Sequence, residues 1–182
     1  LLNDEVTWAV NRIWKIFDRT DWRPTHYVRA EIPEYNEEHV KEDALEMMNQ
    51  PSNLWFQEGF RGLSRRAFMH KGIEYFKTCT GGIHDWHMPL VCGYGTVVHV
   101  AMQLAILQGA TELYLVGCDL GIPDHFYGKE GTNNDVLAFA AHKIAVKCCP
   151  VPVYNSTVGG LLELYPRKKI EDVIYGEEKE RS

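Results

Sequence analysis

The stretch GYGTVVHVAMQLAILQGATELYLVGCD, residues 93–119, constrains the fold more than any other part of the chain. Gly93 and Gly95 open it, and apolar Val97, Val98, Ala101, Leu104, Ala105 and Leu107 then recur at helical spacing. Gly109 stands where a helix ends in a left-handed residue. Leu113-Tyr114-Leu115-Val116 is a short, continuous apolar run, the pattern of a parallel strand covered on both faces. Gly117 and Asp119 follow it. Glycine loop, helix and buried strand in that order predict an α/β sheet, and in such sheets ligands bind at the carboxyl ends of the strands. One stretch thus predicts both a fold class and a place for a site.

The flanking sequence extends the pattern. Residues 5–10 (EVTWAV) read as a strand, residues 12–17 as a short helix and residues 25–30 (THYVRA) as a second strand. Residues 36–49 form an amphipathic helix marked by Val40, Ala44, Leu45 and Met48. Strand, helix, strand is how a sheet with helices on both faces begins. In residues 51–91 the pattern weakens: 54–56 and 73–76 read as short strands, 65–70 as a helix, and 81–87 as a loop rich in histidine and tryptophan. Residues 121–134 are a glycine-rich loop. Residues 135–146 have helical spacing, with Val136, Leu137, Phe139, Ala140 and Ile144 as the apolar set. Residues 151–154 form a last strand, which Pro152 places at an edge or in the strand's first turn. A polar loop from Asn155 and a short helix over 170–175 close a single domain spanning residues 1–182.

Composition narrows the partners. The net charge is −6, so no overall basic field attracts nucleic acid. No apolar run is long enough to span a bilayer, and Asp4 and Glu5 interrupt any signal-peptide pattern. Cys79, Cys92, Cys118, Cys148 and Cys149 are odd in number and contain no Cys-x-x-Cys pair, which argues against a disulfide framework or a zinc site. A reducing, cytoplasmic setting with the cysteines acting as small buried hydrophobes is the expectation. The five tryptophans and nine tyrosines are compatible with a homo-oligomer.

Three polar clusters fall at predicted strand ends: Asn11 with Arg12, Asp119 with His125, and Asn155 to Thr157. His125 has the imidazole expected of a base that takes a proton from an attacking hydroxyl. Asp119 would orient a group or help hold Mg²⁺ on a diphosphate; the alternative is that Asp119 brackets the loop backbone and His125 is a surface residue. Gly93, Gly95 and Thr96 precede a helix N-terminus suited to phosphate, although the motif is neither a Walker A sequence nor a dinucleotide fingerprint. His84, Asp85 and His87 lack the paired spacing of a metal site, and no metal ligand set is assigned. His99 lies within the central helix and reads as packed or partly exposed rather than catalytic, and Arg65-Arg66 and Arg167-Lys168-Lys169 as solvated faces.

At these residues the chain resembles the MptE-like (DUF115) domain family, which contains the archaeal 6-hydroxymethylpterin diphosphokinase. TWAVNRIWKIF followed by RPTHYV is similar to the opening of that family. VAMQLAILQGATELYLVGCDLG and DHFY are similar to its centre, and YNSTVGGLLELYPR to a segment following it in bacterial members. Bacterial relatives include motility-associated glycosyltransferases, and the fold is similar to that of CMP-sialic-acid-using sialyltransferases. The resemblance implies a Rossmann-like, mostly parallel sheet with helices on both faces and a nucleotide-using transferase. It implies that Asn11 contacts the nucleotide, that Gly93, Gly95 and Thr96 line its phosphate, and that Gly117 and Asp119 sit at the switch point. It also implies that His125 is the loop base and that Asn155 and Thr157 close the pocket. The family's Gly-x-Gly-Pro-Ser loop after a first strand has no counterpart here, so the domain is expected to lack that strand and loop.

The resulting expectation is a glycosyltransferase-like enzyme moving a sugar from a nucleotide-sugar donor to a small-molecule or glycan acceptor. His125 and Asp119 would be catalytic. The alternatives are a Mg²⁺-dependent diphosphokinase, with Mg²⁺ near Asp119, and a catalytically inactive nucleotide- or glycan-binding module.

Overall fold

The structure, a computed structural model, describes residues 2–30, 37–62, 72–79, 86, 90–92, 96–121, 126, 128 and 135–176. Five strands come first: β1 (Trp8–Val10), β2 (His26–Arg29), β3 (Asn53–Gln57), β4 (Ile73–Cys79) and β5 (Leu90–Cys92). They form one sheet in chain order, and every neighbouring pair is parallel. Helix α1 (Glu37–Met48) joins β2 to β3, and α2 (Val97–Leu107) follows β5. A second parallel pair, β6 (Leu113–Leu115) and β7 (Val153–Asn155), is joined by α3 (Asp135–Cys148), and α4 (Ile170–Tyr175) closes the order. The architecture is parallel α/β, as the sequence predicts.

Alternation along the strands sorts side chains to two faces. Ala9, Tyr27, Leu54 and Phe56 face α1, where Ala44 and Met47 close a fully buried layer together with Phe60. Trp8, Val10, Val28, Trp55 and Phe76 face the other way, against Val97, Val100, Ala101 and Leu104 of α2. The opposite side of α2 presents Met102 and Ile106 to Leu115 of β6, Val153 of β7 and Ala145 of α3. Helix α2 is therefore buried between the two sheets, with every residue from His99 to Ile106 out of solvent. Burying one large apolar side chain contributes about 2–3 kcal/mol, so this helix is the chief packing element of the fold. Gly109 is left-handed, with φ 95°, and ends it where the sequence places a helix stop.

Several expectations change at the level of faces and ends. On α3, Val136 is 81% exposed and Leu137 and Ile144 are partly in solvent, whereas Ala138, Ala141, His142 and Ala145 are buried. Helical spacing is right and the chosen face is wrong: the buried face of α3 consists of alanines and His142, and a pattern weighted toward large side chains misses it. On α1, Leu45 is exposed and Asp43 fully buried. The first short helix is a single 3-10 turn (Ile13–Ile16), and a second one (Glu58–Gly62) follows β3. The last strand begins at Val153, after Pro152 rather than before it, and Asn155 is inside it. Strand β5 and the full length of β4 were not legible in the weakly patterned segment. The helix expected over 65–70, the loop over 81–85 and most of the glycine-rich loop over 121–134 lie outside the described residues. No helix among the described residues is long and apolar enough to cross a membrane.

Candidate functional site

Within each sheet the strands are parallel, so their carboxyl ends share one edge, and in chain order α2 comes after the carboxyl end of β5. Two polar clusters form at those ends.

The first belongs to β1 and β2. Asn11 leaves β1 with φ 53°, a left-handed conformation that asparagine tolerates better than most residues. Its carbonyl accepts the Tyr27 hydroxyl at 2.8 Å, and its Oδ1 faces Arg29 Nη1 at 3.4 Å. Beneath it lies Asp43 of α1, wholly buried. Asp43 accepts Trp14 Nε1 at 2.8 Å and pairs with Arg29 at 3.0 Å and Arg12 at 3.6 Å. A buried carboxylate survives only with such partners. The sequence places Arg12 at this end; Asp43 and Arg29 are additions from the structure, and a polar residue on an apolar helix face is the signal that would have found Asp43.

The second cluster belongs to β6 and β7. Gly117 is left-handed at φ 73°, Leu120 at φ 44° and Gly121 at φ 78°, so the segment after β6 curls tightly. Asp119 is half-buried, and its carbonyl accepts Leu161 N–H at 2.6 Å. Gly160, at φ 77°, passes so close that a Cβ there would collide with the Asp119 backbone. Asn155 donates from Nδ2 to the Leu162 carbonyl at 2.7 Å, and its Oδ1 accepts Thr157 N–H at 2.9 Å. Thr157 Oγ1 accepts Cys118 N–H at 2.9 Å and donates to the Leu115 carbonyl at 3.4 Å. Arg167 clamps the returning loop through the carbonyls of Thr157 (2.6 Å), Gly159 (2.7 Å) and Gly160 (3.3 Å), and pairs with Glu163. It is a structural clamp rather than part of a solvated run, while Lys168 lies over the rings of Tyr114 and Tyr154.

Each expected site residue can now be placed. Gly117, Asp119, Asn155 and Thr157 are brought together by hydrogen bonds between the loops after β6 and β7. Asn155 and Thr157, however, use their side chains to hold backbone, so they frame a site rather than reach into it. Asp119 brackets its loop through its carbonyl, in keeping with the alternative reading of that residue. Thr96 is the N-cap of α2: its Oγ1 accepts Val98 N–H at 3.2 Å, leaving its O–H to donate elsewhere. Asn11 stands in the first cluster. Gly93, Gly95 and His125 lie outside the described residues, as do His84, Asp85 and His87. Among the described residues no three His, Cys, Asp or Glu side chains converge as metal ligands.

Two further features stand away from the strand ends. His99 of α2 and His142 of α3 meet in the core, Nε2 to Nδ1 at 3.0 Å, and the Tyr165 hydroxyl lies 3.1 Å from the same Nδ1. Burial, helped by the neighbouring His142, lowers the His99 pKa to about 3, and burial lowers that of His142 to about 4. Both rings are neutral at pH 7, which suits a packing pair. Burial, and then the Asp119 charge, raises the Cys118 thiol to about 12, so it is no nucleophile. A cavity of about 270 Å³ lies beside the start of β7, lined by Val146, Cys149, Pro152, Tyr154 and Tyr165. It is open and somewhat more apolar than polar, and it borders the second cluster through Pro166, whose carbonyl accepts the Asn155 N–H at 2.9 Å. The three free cysteines described, Cys118, Cys148 and Cys149, are half-buried. No family model, curated protein or solved structure matches the chain.

Proposed function

We propose that the chain is a nucleotide-binding transferase of Rossmann-type, sialyltransferase-like architecture that moves a sugar from a nucleotide-sugar donor to an acceptor hydroxyl. The observation that carries this reading is the gathering of polar groups at the carboxyl ends of parallel strands. Asn11 follows β1, β6 leads to Asp119, β7 ends in Asn155 followed by Ser156 and Thr157, and α2 comes after the carboxyl end of β5. That edge is where parallel α/β sheets take up nucleotides. The resemblance to the MptE-like family supports the nucleotide, and its glycosyltransferase members support the sugar.

In this reading the acceptor hydroxyl oxygen attacks the donor's anomeric carbon while the bond from that carbon to the phosphate oxygen breaks. His125 takes the acceptor's proton. Negative charge grows on the departing phosphate, which the Thr96 hydroxyl and the positive end of α2 face. Asp119, in the loop after β6, would orient a reacting group. Asn155 and Thr157 keep the β6 and β7 loops fixed, so that contact groups are held before the ligand arrives.

A thermal-shift panel of CMP, CDP, UDP, GDP, ATP and CMP-sialic acid, each with Mg²⁺ and with a chelator, tests the reading. Stabilisation by a sugar nucleotide or its nucleoside phosphate without need of metal is the expected result. Stabilisation by ATP alone, and only with Mg²⁺, would replace sugar transfer by diphosphate transfer. No shift with any nucleotide would refute the proposal.

A further inference from the structure

We propose that Ser156 is the β7 contact to the bound nucleotide, an assignment that rests on the nucleotide-binding reading above. Ser156 is one step past β7, yet its N–H donates to the Leu115 carbonyl at 2.8 Å, so it is still held in the ladder. Asn155 stands opposite Leu115, which puts Ser156 opposite Val116 at the carboxyl end of both strands. Side chains alternate there. Val153 joins the core with α2 and α3 while Tyr154 stacks on Tyr114 on the other face, so Ser156 shares the Tyr154 side.

Its two neighbours turn their side chains to the backbone. Asn155 spends its amide on the Leu162 carbonyl and its oxygen on Thr157 N–H, and Thr157 spends its hydroxyl on Cys118 and Leu115. Ser156 differs. The residue is 8% exposed, and its Oγ is buried with no hydrogen-bond partner among the described residues. A hydroxyl removed from water and bonded to nothing carries an uncompensated desolvation cost, and folded proteins leave few such groups. Here the group sits at the strand edge that binds ligands, inside a frame fixed by Arg167, Gly160 and Thr157. A hydroxyl both donates and accepts, which fits a ribose hydroxyl, a base edge or a phosphate oxygen.

The test compares wild type with Ser156→Ala and the near-isosteric Ser156→Cys, by ligand-free melting and by calorimetric titration with CMP and with ATP, each with Mg²⁺. Both variants are expected to melt at the wild-type temperature or above, because no protein hydrogen bond is lost. The dissociation constant of whichever nucleotide wild type binds is expected to rise about three- to tenfold. Unchanged affinity in both variants overturns the assignment, and so does a fall in ligand-free melting temperature without a change in affinity. Failure of wild type to bind either nucleotide removes the nucleotide reading and this assignment together; that outcome is read from wild type alone, so the two failures are distinct.

Discussion

Mild acid should cost this fold a large part of its stability, because two imidazoles are buried in neutral form. His99 is lowered to about 3 and His142 to about 4, whereas in the unfolded chain both titrate at the ordinary histidine value of about 6.5. Between those limits the unfolded state binds protons that the folded state does not. The contribution is therefore fully present above about pH 6.5 and is lost as pH falls toward the folded values. Each ring contributes about 1.4 kcal/mol per pH unit once the unfolded form is protonated, and the pair about 3 kcal/mol per unit. Integrated from pH 7 to pH 5, the loss is about 4 kcal/mol, against roughly 5–15 kcal/mol for an ordinary domain. The Tyr165 hydroxyl that faces the pair is pushed up by burial, so it stays protonated in this window and does not mask it. Urea unfolding followed by tryptophan fluorescence at pH 7, 6 and 5 reads the slope. The double variant His99→Gln, His142→Asn keeps polar groups in place and removes the titration, so its loss over the same range should be smaller by about 4 kcal/mol. Equal losses in wild type and variant would refute the reasoning.

Other substitutions separate structural from ligand-facing groups. Asp43→Ala removes the carboxylate that pairs Arg12 and Arg29 and is expected to cost about 3–5 kcal/mol in urea unfolding. Gly160→Ala forces a side chain into the Asp119 backbone at a left-handed position; a melting temperature lowered by roughly 6 °C or more is the expected result. Val136→Gln on the exposed face of α3 should change stability by less than about 0.5 kcal/mol, and a larger loss would contradict the face assignment.

How much of this was legible in the sequence depends on what each residue does. The helix over 97–107, its glycine stop and the strand over 113–115 were readable because periodicity, a left-handed glycine and an apolar run all agree there. The face of α3 was not readable, since its buried side is made of Ala138, Ala141 and Ala145 and alanine gives a weak hydrophobic signal. Asp43 was hidden for the opposite reason: a buried carboxylate looks like a solvated one until Arg12 and Arg29 are seen beside it. At the strand ends, residue type marked the polar clusters but did not divide the labour within them. Asn155, Ser156 and Thr157 are all small polar residues, and only their hydrogen bonds show that the outer two hold backbone and the middle one does not.

The central claim is that the carboxyl ends of β1, β6 and β7 form one ligand site. Amide hydrogen exchange of the full chain, with and without the nucleotide that raises its melting temperature most, tests it directly. The account expects slowed exchange in residues 11–12, 96–99, 116–121 and 155–161, with the far ends of the same strands unchanged. Protection confined to residues 146–153 and 165–166, around the apolar cavity, or no protection at the strand ends at all, would contradict it.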